Sequence, residues 1–552
     1  MRNNRLPFYT AAWLLIITVI PIFSPAQNTS TGKHGSISSA HPLATRAGMA
    51  ILQQGGNAFD AAIAVAATLN VTEPMMSGIG GYGTVLIYDA ATKKIRFLNC
   101  SGRFPLQTNT DLMRPPTPGY RENRTGPKSI STPGNLNAWA ALHETYGALK
   151  WDKLFDSAIH HAENGYLLTE SIAKLVADAY PDFSPAAKNI YGSNNVPLQK
   201  GDQLVQTDLA QTFRLIAREG ATVFYHGILA DRIAAQMKAS GSFLTKEDLQ
   251  KNTAEWGAPL HMTYKGFDIY TASLPANSFA AYVPIGLMQK FSAEKPGHNT
   301  TPYLHLFAEM AKLSYRARLA FSFDPDIKKA PIDSLLSDAA LSAAAAAISR
   351  DTASLFTLPF SPESRNTTHF VVADKWGNVV SATQTLGNSF GSRIMVEGTG
   401  IWMNNSMAYS TFEPKGNPMD AFPGRHKLSG DCPVIIMKNN KTWAALGTPG
   451  GHTITQNVPQ IIFNLIDFSM TMQQAIDAPK IAFAEPDIIR ADHHLSQEVF
   501  EQLKKMGHRM QRGSIGNAHG IRILRNKKGK ITGFDAGADK RTEGRQALMV
   551  DR

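Results

Sequence analysis

The stretch Thr367-Thr368-His369-Phe370 reads like a new N-terminus two thirds of the way along the chain. It follows a polar, proline-containing run, residues 349–366. Threonine is a weak nucleophile unless a base lies beside it, and a free α-amino group on the same residue can be that base. An α-amine titrates near pH ~7.7–8.0 and can accept a proton at neutral pH, whereas a peptide nitrogen cannot. The stretch therefore predicts a chain that cuts itself between Asn366 and Thr367.

An ordinary β-strand also explains these residues, because β-branched pairs are common where strands begin. Downstream, a turn at Lys375-Trp376-Gly377-Asn378 separates this segment from a second strand, Val379 to Thr385. A strand hairpin is therefore expected here whether or not the chain is cut.

Composition places the chain among ordinary globular proteins. It has 552 residues, 43% of them apolar and 18% charged, which suits one large domain or two intimate ones. The formal net charge of +11 suits anionic partners. The chain has no long Lys/Arg run and no zinc-finger or RNP-like spacing, so we do not expect it to bind nucleic acid. Its two cysteines, Cys100 and Cys432, form no disulfide framework, although the pair could bridge in an oxidising compartment or stay as buried thiols.

Residues 1–26 have the three regions of a secretory signal peptide. Arg2 and Arg5 precede an apolar stretch, Phe8 to Phe23, that ends at Ser24-Pro25-Ala26. We therefore predict removal of residues 1–26 and a secreted or periplasmic mature protein, with a retained membrane anchor as the alternative. No later segment approaches the ~18 consecutive apolar residues of a membrane helix, so no membrane contact is expected after removal.

Helices and strands are expected in large blocks. Apolar spacing predicts helices from Pro42 to Gln54 and from about Phe59 to Leu69, followed by paired strands at Thr84 to Tyr88 and Ile95 to Asn99. The pattern is mostly helical from residue 136 to about 350, and from Thr367 it changes to short strands with glycine turns. Blocks of this kind favour the α+β class.

Two glycine motifs resemble known sites only in part. The run Ser77-Gly78-Ile79-Gly80-Gly81-Tyr82-Gly83 follows a helix and precedes a strand, the reverse of a phosphate-binding loop, so we expect it to permit close backbone contacts instead. The run Gly387-Asn388-Ser389-Phe390-Gly391 has the spacing of a serine nucleophile elbow, which requires a helix after the serine. A strand is expected there, so a serine hydrolase using Ser389, Asp431 and His452 remains the minor alternative.

Two further features suit amide chemistry. The run Gly447-Thr448-Pro449-Gly450-Gly451 ends a predicted strand, Thr442 to Leu446, and its glycines can direct two N–H groups at one oxyanion or form a plain turn. Arg103 follows a strand and can bind a carboxylate with two hydrogen bonds, or it is an ordinary surface residue.

Taken together and in order, these motifs resemble the γ-glutamyltransferase family of N-terminal-nucleophile hydrolases. The resemblance runs from about Ser38 to the end of the chain. It rests on five pieces: Gly55-Gly56-Asn57-Ala58-Phe59-Asp60-Ala61-Ala62, Ser77-Gly78-Ile79-Gly80-Gly81, Thr367-Thr368-His369-Phe370, Asn404-Asn405-Ser406-Met407 and Thr448-Pro449-Gly450-Gly451.

The resemblance implies an α+β, four-layer αββα sandwich that is made as a proenzyme. Autoproteolysis between Asn366 and Thr367 would give a large subunit, residues 27–366, and a small one, residues 367–552, associated as a heterodimer in one intertwined domain. The enzyme would transfer a γ-glutamyl group from glutathione or a related compound, through a threonyl acyl-enzyme, to water or to an amino-acid or peptide acceptor. It would use no metal or organic cofactor.

The resemblance also assigns roles to individual residues. It makes Thr367 the nucleophile, its freed amine the base and Thr385 the threonine whose hydroxyl supports it. Gly450 and Gly451 would form the oxyanion hole, while Arg103 and Ser429 would bind the α-carboxylate of the donor. If this site forms, Cys100 and Cys432 lie near each other across the two subunits, where a disulfide could join them.

Several substrate positions depart from the family pattern. The family has Asn at Gly387, an acid or amide at Ser406 and Asp at Tyr409, all of which hold the α-amino group of the donor, and a second serine at Gly430. Asn388 and Tyr409 are the candidates to compensate. Three functions follow: a γ-glutamyltransferase or glutathione hydrolase, an acylase for glutaryl-like or other amide donors, and a non-catalytic binding descendant.

Overall fold

The computed structural model describes residues 29–30, 33–291, 296–357, 366–540 and 548–550. The predicted signal peptide, residues 1–26, lies outside the described residues, whereas the predicted cleavage site between Asn366 and Thr367 lies within them. Among the helices in these ranges, none has both the length and the apolar character required to cross a bilayer.

Two seven-stranded sheets form the centre of the molecule, and every strand pairing in them is antiparallel. The first sheet contains the strand Asn366–Asp374, called the nucleophile strand because it carries the predicted nucleophile Thr367. Its order is Leu548–Val550, Gly35–Ser38, Asn366–Asp374, Val379–Gly387, Tyr82–Asp89, Lys94–Cys100 and Glu255–Gly257. The second sheet has the order Thr29–Ser30, Ile531–Ala538, His519–Arg525, Lys441–Gly447, Val434–Lys438, Phe267–Thr271 and Leu260–Tyr264.

The two sheets pack face to face, and side chains alternate between two cores along each strand. In the nucleophile strand, Val371 and Ala373 lie in the core between the sheets, whereas Phe370 and Val372 point to the opposite face. This two-residue period is the one that a strand buried on both faces requires.

Helices cover the outer face of each sheet, so the layers are helix, sheet, sheet and helix, and the predicted four-layer αββα sandwich is confirmed. The helices next to the first sheet include Pro42–Gln53, Ala58–Thr72, Asn135–Tyr146, Asp156–Asn164, Glu170–Ala179, Pro185–Tyr191, Thr207–Glu219, Thr222–Tyr225, Ile228–Ser240 and Lys246–Lys251. Those next to the second include Phe279–Lys290, Thr301–Phe321, Ile332–Leu335, Asp338–Ala346, Ile454–Ile466, Met472–Asp477 and Gln497–Lys505.

Three strands of the two central sheets interrupt a stretch that we expected to be mostly helical. Glu255–Gly257 extends the first sheet, and Leu260–Tyr264 and Phe267–Thr271 form a hairpin at the edge of the second. The alternation within each strand covers only three to five residues, and the partner Val434–Lys438 is distant in sequence. The local pattern was therefore too short to outweigh its helical surroundings.

The Asn57 motif begins the central helix Ala58–Thr72. The Asn57 side chain accepts hydrogen bonds from the N–H groups of Phe59 and Asp60, and Asp60 bonds back to the N–H of Asn57. Asp374, the last residue of the nucleophile strand, accepts from the N–H of Ala58 at 3.0 Å. The motif therefore fixes the start of a helix against the strand that Thr367 begins.

The glycine-rich run before Tyr82 permits close backbone contact, as predicted. A Cβ at Gly81 would lie 2.3 Å from the carbonyl oxygen of Thr385, and one at Gly83 would lie 2.3 Å from that of Thr383. Real Cβ atoms do not approach a carbonyl oxygen so closely. These glycines therefore allow the strand Tyr82–Asp89 to pair beside Thr385.

Candidate active site

Thr367 lies at an irregularity in the pairing of the two central strands. The register shifts between Asn366 and Thr368, so the single residue Thr367 faces both Thr385 and Leu386. A β-bulge of this kind re-aims side chains and is common beside active sites. Thr367 is 3% exposed, so its hydroxyl is almost fully shielded from solvent.

The hydroxyl of Thr385 links Thr367 to the peptide bond before it. It accepts a hydrogen bond from Thr367 Oγ1 at 3.4 Å and one from the N–H of Gly387 at 2.8 Å. It donates to the carbonyl oxygen of Asn366 at 2.6 Å. The carbonyl next to the candidate nucleophile is thus polarised by a hydrogen-bond donor held in place on a strand.

A small cavity opens beside Thr367. Its volume is about 30 Å³, which is about the share of one water molecule and far below the ~300–1,000 Å³ of typical ligand pockets. Its lining comprises Tyr82, Asn277, Arg318, Thr367, Thr385, Tyr409, Met419, Lys427, Leu428, Ser429, Gly430, Asp431, Gly451, His452 and Ile454. In the uncut chain the site therefore has no room for an acyl donor.

The predicted oxyanion glycines are divided between two cavities. Gly451 lines the cavity of Thr367, whereas Gly450 lines a neighbouring cavity of about 440 Å³ with Thr453, Arg490 and Arg512. Gly450 has φ 134° and Gly451 has φ 59°, backbone conformations that favour glycine.

A contact between the sheets positions the strand that carries this glycine loop. A Cβ at Gly447 would lie 2.3 Å from the ring of His369, so only glycine leaves room for that ring. The ring Nδ1 of His369 is 2.9 Å from Thr383 Oγ1. Burial holds the pKa of His369 well below its usual value, so the ring is neutral in this contact.

The predicted carboxylate-binding residues are only partly brought together. Ser429 lines the Thr367 cavity, but Arg103 does not. The guanidinium of Arg103 instead forms ion pairs with Glu255 and Asp326, both at 2.9 Å, and a hydrogen bond to the carbonyl oxygen of Gly424.

The positions that depart from the family pattern are tightly packed. A Cβ at Gly387 would lie 2.2 Å from Asn405 Oδ1 and 3.0 Å from the Tyr409 ring, so an asparagine there would require the Asn405 side chain to move. Tyr409 donates its hydroxyl to Asn388 Oδ1 at 2.6 Å. Tyr409 lines the Thr367 cavity, whereas Asn388 does not.

Ser406 and Gly430, two more positions that depart from the family pattern, are also closely packed. Ser406 is buried, donates its hydroxyl to Ser131 and does not line the Thr367 cavity. Gly430 does line it, but a Cβ at this position would lie 2.8 Å from the carbonyl oxygen of Gly451. A serine at position 430 would therefore push against the glycine loop.

Sequence reasoning missed the charged residues of the cavity. Arg318 and Lys427 were not predicted as site residues, and Asp431 appeared only in the serine-hydrolase alternative. Lys427 and Asp431 each lie two residues from Ser429, so their position beside a predicted substrate residue was an available signal. Arg318 gave none, because it lies at the end of the helix Thr301–Phe321.

The serine-elbow and disulfide hypotheses are both wrong. Ser389 is followed by a turn and the short strand Met395–Val396 rather than by a helix, and it does not line the cavity that contains Asp431 and His452. Cys100 and Cys432 are unbridged buried thiols. Burial raises the pKa of both, that of Cys432 to about 12.

A buried histidine joins the segments before and after Thr367. His426 Nδ1 is 2.9 Å from Asp324 Oδ1, and its Nε2 is 2.7 Å from Glu255 Oε2. Burial favours neutral His426, but the two carboxylates outweigh it and raise its pKa to about 9. Burial likewise opposes the charge of Glu255, but His426 and Arg103 lower its pKa to about 2. The cluster therefore contains a charged imidazolium at neutral pH.

The αββα layers, with a threonine hydroxyl at the start of a central strand, define the class of N-terminal-nucleophile hydrolases. The chain belongs to the gamma-glutamyltranspeptidase family, whose sequence profile matches residues 44–549.

Relatives within the family carry two kinds of name. The chain is 30% identical to a "Glutathione hydrolase proenzyme" of Bacillus subtilis (strain 168) over 523 residues, which cover 90% of this chain and 89% of that protein. It is 31% identical to "Acylase ACY 1 proenzyme" of Pseudomonas sp. (strain V22) over 524 residues, or 93% of both. Its fold matches the crystal structure of cephalosporin acylase from Bacillus halodurans with a TM-score of 0.85 and 27% identity, covering 98% of this chain and 99% of that one.

The His426 cluster predicts a loss of stability at alkaline pH. A histidine with a folded-state pKa near 9 contributes stability that is fully present below its unfolded pKa of ~6.5 and disappears as pH rises towards 9. We expect the free energy of urea unfolding to fall by roughly 1–3 kcal/mol over this window because of His426. The slope should disappear in His426→Gln but remain in His261→Gln, which changes an exposed histidine paired with Asp268. Equal slopes in all three proteins would contradict this account.

Proposed function

We propose that this protein is a self-processing threonine amide hydrolase and acyltransferase. The hydrogen-bond chain from Thr367 through Thr385 to the carbonyl oxygen of Asn366 carries the proposal. It places a nucleophile, a proton acceptor and a polarised carbonyl next to one peptide bond, and this combination supports autoproteolysis there.

Processing would begin when Thr367 Oγ1 attacks the carbonyl carbon of Asn366. The Thr367 proton passes to Thr385 Oγ1, whose own proton moves to the Asn366 oxygen, so no net charge develops. The C–N bond then breaks as the proton on the Asn366 oxygen passes to the nitrogen, which leaves an ester between Asn366 and Thr367 Oγ1 and a free α-amine. Water hydrolyses the ester, giving a carboxylate on Asn366 and a free Thr367 hydroxyl.

Turnover would repeat this chemistry on an external amide. The α-amine of Thr367 takes the hydroxyl proton while Oγ1 attacks the donor carbonyl, and the developing oxyanion faces the Gly450–Gly451 loop. The amine leaving group departs with that proton, and an acyl ester on Thr367 remains. Water or an acceptor amine then attacks the ester carbonyl and returns a proton to Oγ1. The chain's own groups account for each of these steps.

Cleavage would yield the subunits 27–366 and 367–552 as one heterodimer. Tyr82–Asp89, from the first segment, pairs along its length with Val379–Gly387, from the second. Phe267–Thr271 pairs with Val434–Lys438 in the other sheet. Separating the subunits would expose the backbone of both central sheets, so we expect them to remain associated. A secreted or periplasmic location fits the signal peptide expected from the sequence.

The packing near Thr367 favours an acylase over a glutathione hydrolase. Gly387 has no side chain to hold the donor's ammonium, its neighbouring space is filled by Asn405 and Tyr409, and Tyr409 and Asn388 are bonded to each other. A hydrogen bond to a charged group contributes about 1.5–3 kcal/mol, so its loss disfavours a γ-glutamyl donor. We therefore propose a dicarboxylic monoamide without an α-amino group, such as a glutaryl amide, as the donor.

A γ-glutamyl donor such as glutathione, with water or an amino acid or peptide as acceptor, is the second candidate. The name of the Bacillus subtilis relative favours it, as the name of the Pseudomonas relative favours the acylase. A non-catalytic binding descendant is the least favoured function, because the hydrogen-bond chain around Thr367 is complete.

Substitutions at Thr367 and Thr385 test the proposed roles of their hydroxyl groups in processing and turnover. Thr367→Ala should give one uncut chain with no turnover, because the attacking oxygen is removed. Thr385→Val keeps the side-chain shape but removes the donor to Asn366, and should slow processing about 10²–10³-fold. Denaturing electrophoresis over time measures processing, and the release of p-nitroaniline from an acyl p-nitroanilide measures turnover. Ser389→Ala is the control, and it should be processed and turn over substrate normally. If Ser389→Ala were inactive while Thr367→Ala remained active, the serine hydrolase would be supported instead.

The two candidate donors can be compared directly. We expect a kcat/KM for glutaryl p-nitroanilide that is about 10–100-fold higher than that for γ-glutamyl p-nitroanilide, because the ammonium group of the latter would be buried without its charged partner. Initial rates on the processed enzyme measure both values. A preference for the γ-glutamyl compound would favour the glutathione hydrolase instead.

A further inference from the structure

Two buried cations line the cavity of the proposed nucleophile. Lys427 is 4% exposed and Arg318 is 1% exposed, and both line the cavity beside Thr367. Lysine and arginine are almost never fully buried without a charge partner. The burial of Lys427 in a cavity next to the proposed nucleophile therefore requires an explanation.

The ammonium group of Lys427 lies 4.2 Å from the centroid of the Tyr82 ring, a cation–π contact. Within the described part of the chain it makes no hydrogen bond and no ion pair. Burial lowers the pKa of Lys427 to about 8, while nearby Asp431 opposes that shift. A buried ammonium with three unused donors is a costly feature for folding alone.

Arg318 comes from the last turn of the helix Thr301–Phe321 and lines the same cavity. Its guanidinium lies 3.2 Å from His452 Nε2 and over the ring of Tyr315. The positive charge of Arg318 also lowers the pKa of Lys427, although burial contributes more to that shift.

The cavity has a net positive lining. Among the described residues that line it, Asp431 is the single carboxylate, against Lys427 and Arg318. Asp431 is also engaged, because Thr84 donates its hydroxyl to the carboxylate at 3.1 Å. Burial raises the pKa of Asp431 to about 6, although Lys427 opposes this shift. A lining of this kind favours an anionic group and repels an ammonium.

Arg103, by contrast, is already paired with Glu255 and Asp326 outside this lining. A substrate carboxylate there would compete with these two carboxylates for the same guanidinium. The anion-binding role that the family resemblance gives to Arg103 is therefore better suited to the cations inside the cavity.

We propose that Lys427, with Arg318 beside it, binds the far carboxylate of the acyl donor and so selects dicarboxylic monoamides. This inference rests on the proposed threonine hydrolase, and it adds the residue that determines donor specificity. Ser429, between Lys427 and Asp431 in sequence and in the same lining, can contribute a neutral hydrogen bond to that carboxylate.

The experiment compares glutaryl p-nitroanilide with pentanoyl p-nitroanilide, which has the same acyl length but no carboxylate. Lys427→Met should raise KM for the glutaryl donor about 10–100-fold and leave the pentanoyl donor unchanged, because it removes one charged hydrogen-bond partner. Lys427→Arg should retain most of the glutaryl preference. Lys251→Met, which changes an exposed lysine on a surface helix, is the matched control and should alter neither value.

Each other outcome is decisive. Lys427 does not determine specificity if Lys427→Met is processed normally and its KM for the glutaryl donor is unchanged. The same conclusion follows if its KM rises equally for both donors. If Arg103→Met raises the glutaryl KM while Lys427→Met does not, the carboxylate binds at Arg103 and the inference is wrong. If the wild-type protein neither cuts itself nor releases p-nitroaniline from either donor, the proposed function itself is wrong.

Discussion

The hydroxyl of Thr385 connects the backbone N–H of Gly387 to the carbonyl oxygen of Asn366, and the rest of the site depends on this connection. The hydroxyl can reach both groups because the register of the central strands shifts beside Thr367. The shift is accommodated where Gly81 lets the neighbouring strand lie against the backbone of Thr385. The chemistry thus rests on backbone geometry buried between two sheets and two helical layers, where water competes little for each hydrogen bond.

Features with a strong local signal could be predicted from the sequence. The helix Pro42–Gln53 ends one residue before its predicted end, and the second central strand begins at Val379 as expected. The hairpin of Leu260–Tyr264 and Phe267–Thr271 could not be predicted, because short edge strands are stabilised mainly by partners distant in sequence. Conversely, the mostly helical pattern predicted for residues 136 to about 350 includes the helix Thr301–Phe321, but it could not show that Arg318 in the last turn lines a cavity.

The residues of the site also fall into two groups, those that the sequence could predict and those that it could not. The motifs predicted Thr367, Thr385 and Gly451 as site residues, and the structure brings all three to one cavity. The substrate side could not, because its character depends on which charges tertiary packing brings together. Arg103 is held by Glu255 and Asp326, while Lys427 and Arg318 occupy the cavity. The result is the predicted pairing of Thr367 with Thr385 beside a pocket whose charge differs from the one the resemblance implies.

The most direct test of this account is the N-terminal sequence of the fragments of the purified wild-type protein after denaturing electrophoresis. We predict two fragments, of which the smaller begins Thr-Thr-His-Phe at Thr367, because the hydroxyl of that residue lies beside a polarised carbonyl in the uncut chain. A single uncut chain, or a smaller fragment that begins at any other residue, would contradict the central claim.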